Sequence, residues 1–187
     1  MIWPLFGIEK QNKEFSYMLK QFYPDEIQES VYGIDYEKLY RRGYRGVLFD
    51  IDNTLVEHGA DATDRAKELF HRLNEIGMKS CLISNNKEER VKRFNKEIGT
   101  LYIYDAHKPS GKNYKKAMEL MKTNLENTIF IGDQLFTDVY GAKRIGMKNI
   151  LVRPIDKKEE IQIVLKRYLE KIVLHFYERG KGGEERY

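Results

Sequence analysis

Five short apolar runs punctuate the chain: Gly46–Asp50 (GVLFD), Lys79–Ser84 (KSCLIS), Leu101–Tyr104 (LYIY), Thr128–Gly132 (TIFIG) and Lys148–Val152 (KNILV). Each is rich in β-branched or aromatic residues and continuous rather than alternating, the pattern of strands covered on both faces. Between them, apolar positions recur at helical spacing. Ala66, Leu69, Phe70, Leu73 and Ile76 form one stripe that stops at Gly77. Val91, Phe94 and Ile98 form the next, Ala117, Leu120 and Met121 a third, and a short fourth runs from Val139 to Ile145 before Gly146. Glycine just beyond a stripe is a common helix stop, because no Cβ opposes left-handed backbone there. Strands alternating with helices predict an α/β fold of three layers, Rossmann-like, around a five-stranded, mainly parallel sheet.

Two flanks frame that core of residues 46–156. Residues 1–45 read as an N-terminal helical extension packed on it, with helices near Glu14–Phe22 and Tyr36–Arg42. Residues 157–179 read as one amphipathic C-terminal helix, with Ile161, Val164, Leu165, Tyr168, Ile172 and Phe176 on one face, followed by a flexible tail at 180–187. The helix is expected to pack on the sheet or the N-terminal helices. Its polar face mixes Lys and Arg with Glu, whereas a membrane-surface helix is mainly basic.

Composition narrows the class. A chain of 187 residues with 41% hydrophobic and 33% charged residues is long enough to bury a full core. That content excludes disorder as the main state. The lone Cys81 excludes a disulfide scaffold and fits a reducing compartment. No apolar run reaches the roughly 18–20 residues that cross a bilayer. The apolar start, Met1–Ile8, lacks a preceding basic region and a cleavage site, so it reads as neither signal peptide nor anchor. The expectation is a cytoplasmic protein. Net charge is only +4, but Lys79–Lys122 holds eleven basic residues against five acidic ones. Such a local field favours an anionic substrate or surface.

The candidate chemistry lies at the strand ends. The first predicted strand runs into Asp50-Ile51-Asp52-Asn53-Thr54 and the second into Ser84-Asn85-Asn86. Lys108-Pro109 follows the third; the fourth runs into Gly132-Asp133, with Asp138 five residues on. In a parallel sheet these ends share one edge, and ligands bind beyond it. Asp50, Asp52, Asp133 and Asp138 are hard oxygen ligands, suited to Mg²⁺ rather than zinc. Asp50 and Asp52 point to the same side, so one can attack while the other handles a proton. Ser84 and the amides after it can hold anionic oxygens. Lys108 adds positive charge where a phosphoryl group spreads its negative charge. Together the set predicts phosphoryl transfer.

Taken singly, each residue has an ordinary structural reading. Asp138 can cap the helix that follows it, Asn86 reads as a turn residue, and Cys81 as a small core hydrophobe. His58, His71, His107 and His175 show no metal-ligand spacing, and only His107, beside Lys108, is a candidate pocket residue. Tyr102 and Tyr104 read as strand core, so no nucleic-acid partner is expected.

The segments FDIDNTL at 49–55, LISNN at 82–86, Lys108 with its proline, and IGDQLFTD at 131–138 resemble, in order, the four signature segments of the haloacid-dehalogenase superfamily of phosphatases. The resemblance implies that Asp50 is the nucleophile, forming an aspartyl-phosphate, and that Asp52 is the general acid and base. It implies phosphate binding by Thr54, Ser84, Asn85 and Lys108, with Thr54 supporting the loop and Lys108 steadying nucleophile and phosphate. Mg²⁺ would be held by Asp50, the backbone carbonyl of Asp52, and Asp133, with Asp138 in or just behind that shell. Caps in this superfamily are insertions after the first segment or between the second and third, and neither interval here has room for one. The pocket is therefore expected to be open, as in relatives that serve macromolecules or membrane lipids. Phe22–Val56 further resembles the opening of the YqeG family, related to phosphatidylglycerophosphate phosphatases, and the likeness runs to about Arg153. It implies a lipid-borne phosphomonoester at the inner face of the membrane, with peripheral membrane contact. Three alternatives stand beside it: a phosphatase of soluble nucleotides or sugar phosphates, a phospho-accepting receiver domain, and a catalytically silent scaffold. A receiver carries its acidic pair after the first strand and its acceptor after the third, an order this chain does not have.

Overall fold

In a computed structural model of the protein, residues 18–156 and 161–184 are described. Six strands, β1 (Glu26–Gln28), β2 (Gly46–Phe49), β3 (Lys79–Ile83), β4 (Leu101–Ile103), β5 (Thr128–Gly132) and β6 (Lys148–Val152), form one parallel sheet. The five predicted strands are all present. The sixth, β1, is a correction: it lies in the flank expected to be helical and pairs with β6, Glu26 opposite Ile150 and Gln28 opposite Val152. Three residues with one apolar side chain give no periodic signal.

The order is β1-β6-β5-β2-β3-β4. The chain moves outward from β2 through β3 to β4, then returns to β5 on the other side of β2. That reversal opens a crevice at the carboxyl ends of β2 and β5, where parallel sheets bind ligands. Alternation along β2 sends its side chains to two cores. Val47 and Phe49 pack with Tyr36, Leu69, Phe70, Leu73, Val91 and Phe94. Leu48 packs with Cys81, Ile83, Tyr114, Met118, Phe130 and Met147 on the other face. β4 is an edge strand, with Leu101 and neighbouring Tyr104 exposed, not the covered strand its composition suggested.

Among the described residues, six α-helices of five residues or more flank the sheet: α1 (Tyr36–Arg41), α2 (Asp64–Ile76), α3 (Glu88–Asn95), α4 (Lys112–Met121), α5 (Tyr140–Arg144) and α6 (Ile161–Glu184). α2 matches its predicted stripe and its predicted stop. Thr63 accepts the Ala66 amide at 3.2 Å at its start, and Gly77 closes it in left-handed backbone at φ +85°. In α4 the buried stripe is Tyr114, Ala117, Met118 and Met121, while the expected Leu120 faces solvent. The expected helix at 14–22 begins outside the described residues; within them Met18 and Leu19 are helical and a 3-10 turn, Lys20–Phe22, follows. Met1–Ile8 also lies outside them.

α6 departs most from expectation. It buries Glu170, Val173 and Tyr177, while Tyr168 and Ile172 of the predicted packing face are exposed. Tyr177 meets Tyr23 edge-on at 5.3 Å, and Val173 packs with Leu135, Val139 and Leu151. Apolar residues surround much of this helix, so periodicity alone does not select the packed side. The helix also runs to Glu184, past Gly180 where a tail was expected; a glycine inside a helix costs only about 1 kcal/mol. Among the described residues, no helix is long and apolar enough to cross a membrane.

Candidate active site

The ladder of β2 and β5 continues one residue past the strand, the Asp50 amide donating to the Ile131 carbonyl at 3.0 Å. The chain then turns tightly. The Leu55 amide reaches back to the Ile51 carbonyl at 2.8 Å, and Asn53 takes left-handed backbone at φ +62°, which Asn tolerates better than most residues. This turn carries Thr54 beneath β5, where its hydroxyl donates to Asp133 Oδ1 at 3.3 Å.

After β5, a wide turn of π-helical form spans Leu135–Val139 and folds Asp138 back over Gly132. A Cβ on Gly132 would lie 2.4 Å from Asp138 Oδ2, so only glycine allows this approach. Asp138 Oδ2 accepts the Gln134 amide at 3.1 Å, and Oδ1 accepts from Lys108 Nζ at 2.7 Å. Lys108 Nζ also donates to Asp50 Oδ1 at 2.6 Å. Asp138 is thus a member of the buried cluster and not a cap of the following helix. Asp50, Asp133 and Asp138 each offer an oxygen within 4.8 Å of the others, all buried.

Burial pushes the Asp50 carboxyl up to about 7, against the downward pull of Lys108 and with a further upward push from Asp138. Burial likewise raises Asp133 well above the ordinary carboxylate range, although the Arg167 guanidinium opposes it. For Lys108, burial acts to discharge the ammonium, but Asp138 and Asp50 outweigh it and hold the group charged above the usual lysine range. Three buried carboxylates facing one another are short of positive charge. Their oxygen-only set fits a hard divalent cation such as Mg²⁺.

The carboxylate of Asp52 stands apart from that cluster. Oδ1 accepts the Gly59 amide at 2.7 Å and Arg90 Nη2 at 2.8 Å, while Oδ2 accepts from the Asn86 amide group. Ser84 Oγ accepts the Asn86 backbone amide at 3.1 Å. Asn85 is turned to a different task from the one expected of its side chain. Its Oδ1 accepts the Lys108 amide at 2.6 Å and its Nδ2 donates to the Lys108 carbonyl at 3.1 Å. The side chain fixes the backbone that carries the lysine.

These groups line a cavity of about 210 Å³, with Asp50, Asp52, Ser84, Asn85 and Lys108 on its inner wall and His58, Asn86, Gln134, Thr137 and Lys166 completing it. His58 lines it and His107 does not. Asn86, read as a turn residue, is a cavity residue bound to Asp52. Sequence reading also missed Arg90 and the contribution of α6. Arg167 Nη1 donates to the Asp133 carbonyl at 2.6 Å and to Glu170 Oε2 at 2.9 Å, and its Nη2 binds the Asp133 carboxylate. Glu170 Oε1 accepts the Leu135 amide at 2.6 Å. Apart from the Arg167–Glu170 pair, one helical turn apart, no spacing signals these contacts, since their partners lie more than thirty positions away. Arrangements of this kind, with one carboxylate beside a fixed ammonium and a second held by separate donors, can support displacement at phosphorus.

The curated relatives that match most of this chain are described as phosphatases. Residues 105–162 match the family model described as HAD-hyrolase-like. The chain is 40% identical over 164 residues to the Probable phosphatase YqeG of Bacillus subtilis (strain 168), covering 87% of this chain and 95% of that protein. It is 30% identical over 159 residues to Phosphatidylglycerophosphate phosphatase 1, chloroplastic/mitochondrial, of Arabidopsis thaliana, covering 74% of this chain and 45% of that protein. Among solved structures, a 3-deoxy-D-manno-octulosonate 8-phosphate phosphatase from Moraxella catarrhalis matches with a TM-score of 0.43 and 16% identity, over 53% of this chain and 64% of that one.

Proposed function

The chain belongs to the family of the YqeG phosphatase, within the haloacid-dehalogenase-type hydrolases, and on that premise we propose a Mg²⁺-dependent phosphomonoester hydrolase that works through an aspartyl-phosphate. The observation that carries the reading is the convergence of Asp50, Lys108, Asp133 and Asp138 in one buried cluster, of which Asp50 and Lys108, with Asp52, line a single cavity. An Asp50 oxygen forms the bond to phosphorus as the bond to the leaving oxygen breaks, and Asp52 gives that oxygen a proton. Water then attacks the phosphorus, Asp52 takes its proton, and Asp50 leaves as a carboxylate. Lys108 holds Asp50 in line and offsets charge on the phosphoryl oxygens, with Ser84 as a further donor; Thr54 steadies Asp133. Asp50, Asp133 and the backbone carbonyl of Asp52 would hold Mg²⁺, with Asp138 beside them, and the ion would neutralise phosphoryl charge.

For substrate we propose a lipid phosphomonoester, phosphatidylglycerophosphate, at a membrane surface. Support comes from the Arabidopsis relative, from the basic excess of Lys79–Lys122, and from the two intervals where caps are inserted. Those intervals, 55–83 and 87–107, hold only α2 with β3 and α3 with β4. A lipid–water boundary can supply part of the water exclusion a cap provides. The test measures hydrolysis of phosphatidylglycerophosphate micelles, glycerol phosphates, nucleotides and sugar phosphates, with Mg²⁺ and with EDTA. The reading expects metal-dependent turnover, highest kcat/KM on the lipid, and none for Asp50→Asn. Equal or better kcat/KM on a soluble phosphate selects the soluble-substrate alternative. Activity that survives complete metal removal sinks the site reading.

A further inference from the structure

We infer that the solvent-facing sector of α6 docks on an anionic lipid surface, an inference that rests on the lipid-phosphate substrate proposed above. The helix is held from one side. Arg167 and Glu170 tie it to Asp133 and Leu135, and Val173 and Tyr177 are buried beneath it. That anchorage keeps the opposite sector outward. There Tyr168, Leu169 and Ile172 are 67%, 48% and 42% exposed. Residues three and four apart share a helix face, so the three form one stripe. Isolated exposed apolar residues are ordinary, but a rigid stripe marks an interaction surface.

Charge selects the occupant. The exposed charged residues described on α6 are Lys166, Lys171 and Arg179, against one acid, Glu178. Lys171 and Arg179 border the stripe, and such cations match an anionic headgroup layer over acyl chains. A second copy would bring the same cations face to face, and three side chains fall far short of the ~800 Å² per partner of a stable protein interface. A membrane requires no such complementary relief. The stripe also begins two residues beyond Lys166, which lines the catalytic cavity.

The experiment is co-sedimentation of the full chain with vesicles of phosphatidylcholine alone and with ~30 mol% phosphatidylglycerol, neither of which carries a phosphomonoester. The expected result is binding to the anionic vesicles that weakens as salt rises. Tyr168→Ser/Leu169→Ser/Ile172→Ser should reduce it by about tenfold or more while melting within a few degrees of the wild type. Leu120→Ser, at an exposed apolar position on α4, should bind as the wild type does. No wild-type binding, or equal binding by the triple variant, overturns the inference. So does a triple variant that only shifts a dimer to a monomer. Turnover of phosphatidylglycerophosphate in detergent without vesicle binding sinks the surface and leaves the substrate reading standing. Vesicle binding without lipid turnover keeps the surface and rejects the substrate.

Discussion

Arg167 donates to both the main-chain oxygen and the side chain of Asp133. A guanidinium from the last helix thus neutralises a buried carboxylate that also belongs to the candidate metal cluster. Arginine suits this task because its planar fork spans two acceptors and stays charged when buried. The same guanidinium is braced by Glu170, which in turn holds the start of the turn that carries Asp138.

Replacing Arg167 by Gln should therefore destabilise the metal-free protein most. Removing one partner of a buried pair costs about 3–5 kcal/mol. A divalent cation on the same carboxylate restores much of that loss by binding only the folded chain. Calorimetric melts in EDTA and in Mg²⁺ should show a large deficit in the first and a smaller one in the second. An equal deficit in both would separate Asp133 from the cation.

Asp50 makes stability depend on pH. Its carboxyl is raised from 3.8 to about 7 by burial, so between those values the folded chain keeps a proton that the unfolded chain releases. Stability from this group then falls as pH rises through that window. Asp50→Asn removes the dependence but takes one partner from Lys108. In EDTA, the variant should gain on the wild type by on the order of 2 kcal/mol between pH 4 and pH 8. Urea unfolding at the two pH values measures it.

Arg90 should matter to the reaction more than to the fold. It pairs with Asp52, while its Nε and Nη1 are buried with no hydrogen-bond partner among the described residues, and Asp52 keeps the Gly59 and Asn86 donors when Arg90 is removed. Arg90→Gln leaves Asp52 less firmly placed. The expected result is a kcat on an alkyl phosphate about tenfold more impaired than on p-nitrophenyl phosphate, whose leaving group needs no proton. A uniform fall on both substrates would assign Arg90 a structural role.

Gly132→Ala should abolish activity and lower stability by about 1–3 kcal/mol, because the added methyl meets Asp138 at 2.4–2.8 Å. Gly33→Ala, where nothing lies within 4 Å, is the matched control and should melt as the wild type does.

The residues beyond the carboxyl ends of β2, β3, β4 and β5 were legible because a parallel sheet converts chain order into spatial neighbourhood. Asp50, Ser84, Asp133 and Lys108 were found by that rule without any contact being known. The sheet core was legible for a similar reason, since unbroken apolar runs have one stable destination. Arg90, Asn86 and Arg167 were not. Their signal is a single polar residue whose partner is set by tertiary packing, and helix periodicity does not report it. β1 escaped because its three residues carry a single apolar side chain, Ile27, and the strand is defined by its pairing with β6. The packed side of α6 escaped because two polar anchors, and not its most apolar sector, fix its rotation.

Strand order has a consequence for synthesis. β1 leaves the ribosome first but pairs with β6, which begins 122 positions after β1 starts. β2 likewise waits for β5, and with it Asp133. A nascent chain therefore carries unpaired strand edges until nearly all of the sheet has emerged, and such non-local pairing is slow to close. Those edges are where a partly made chain is open to aggregation. Catalytic competence should arrive late and all at once, since no fragment ending before Asp138 contains the cluster.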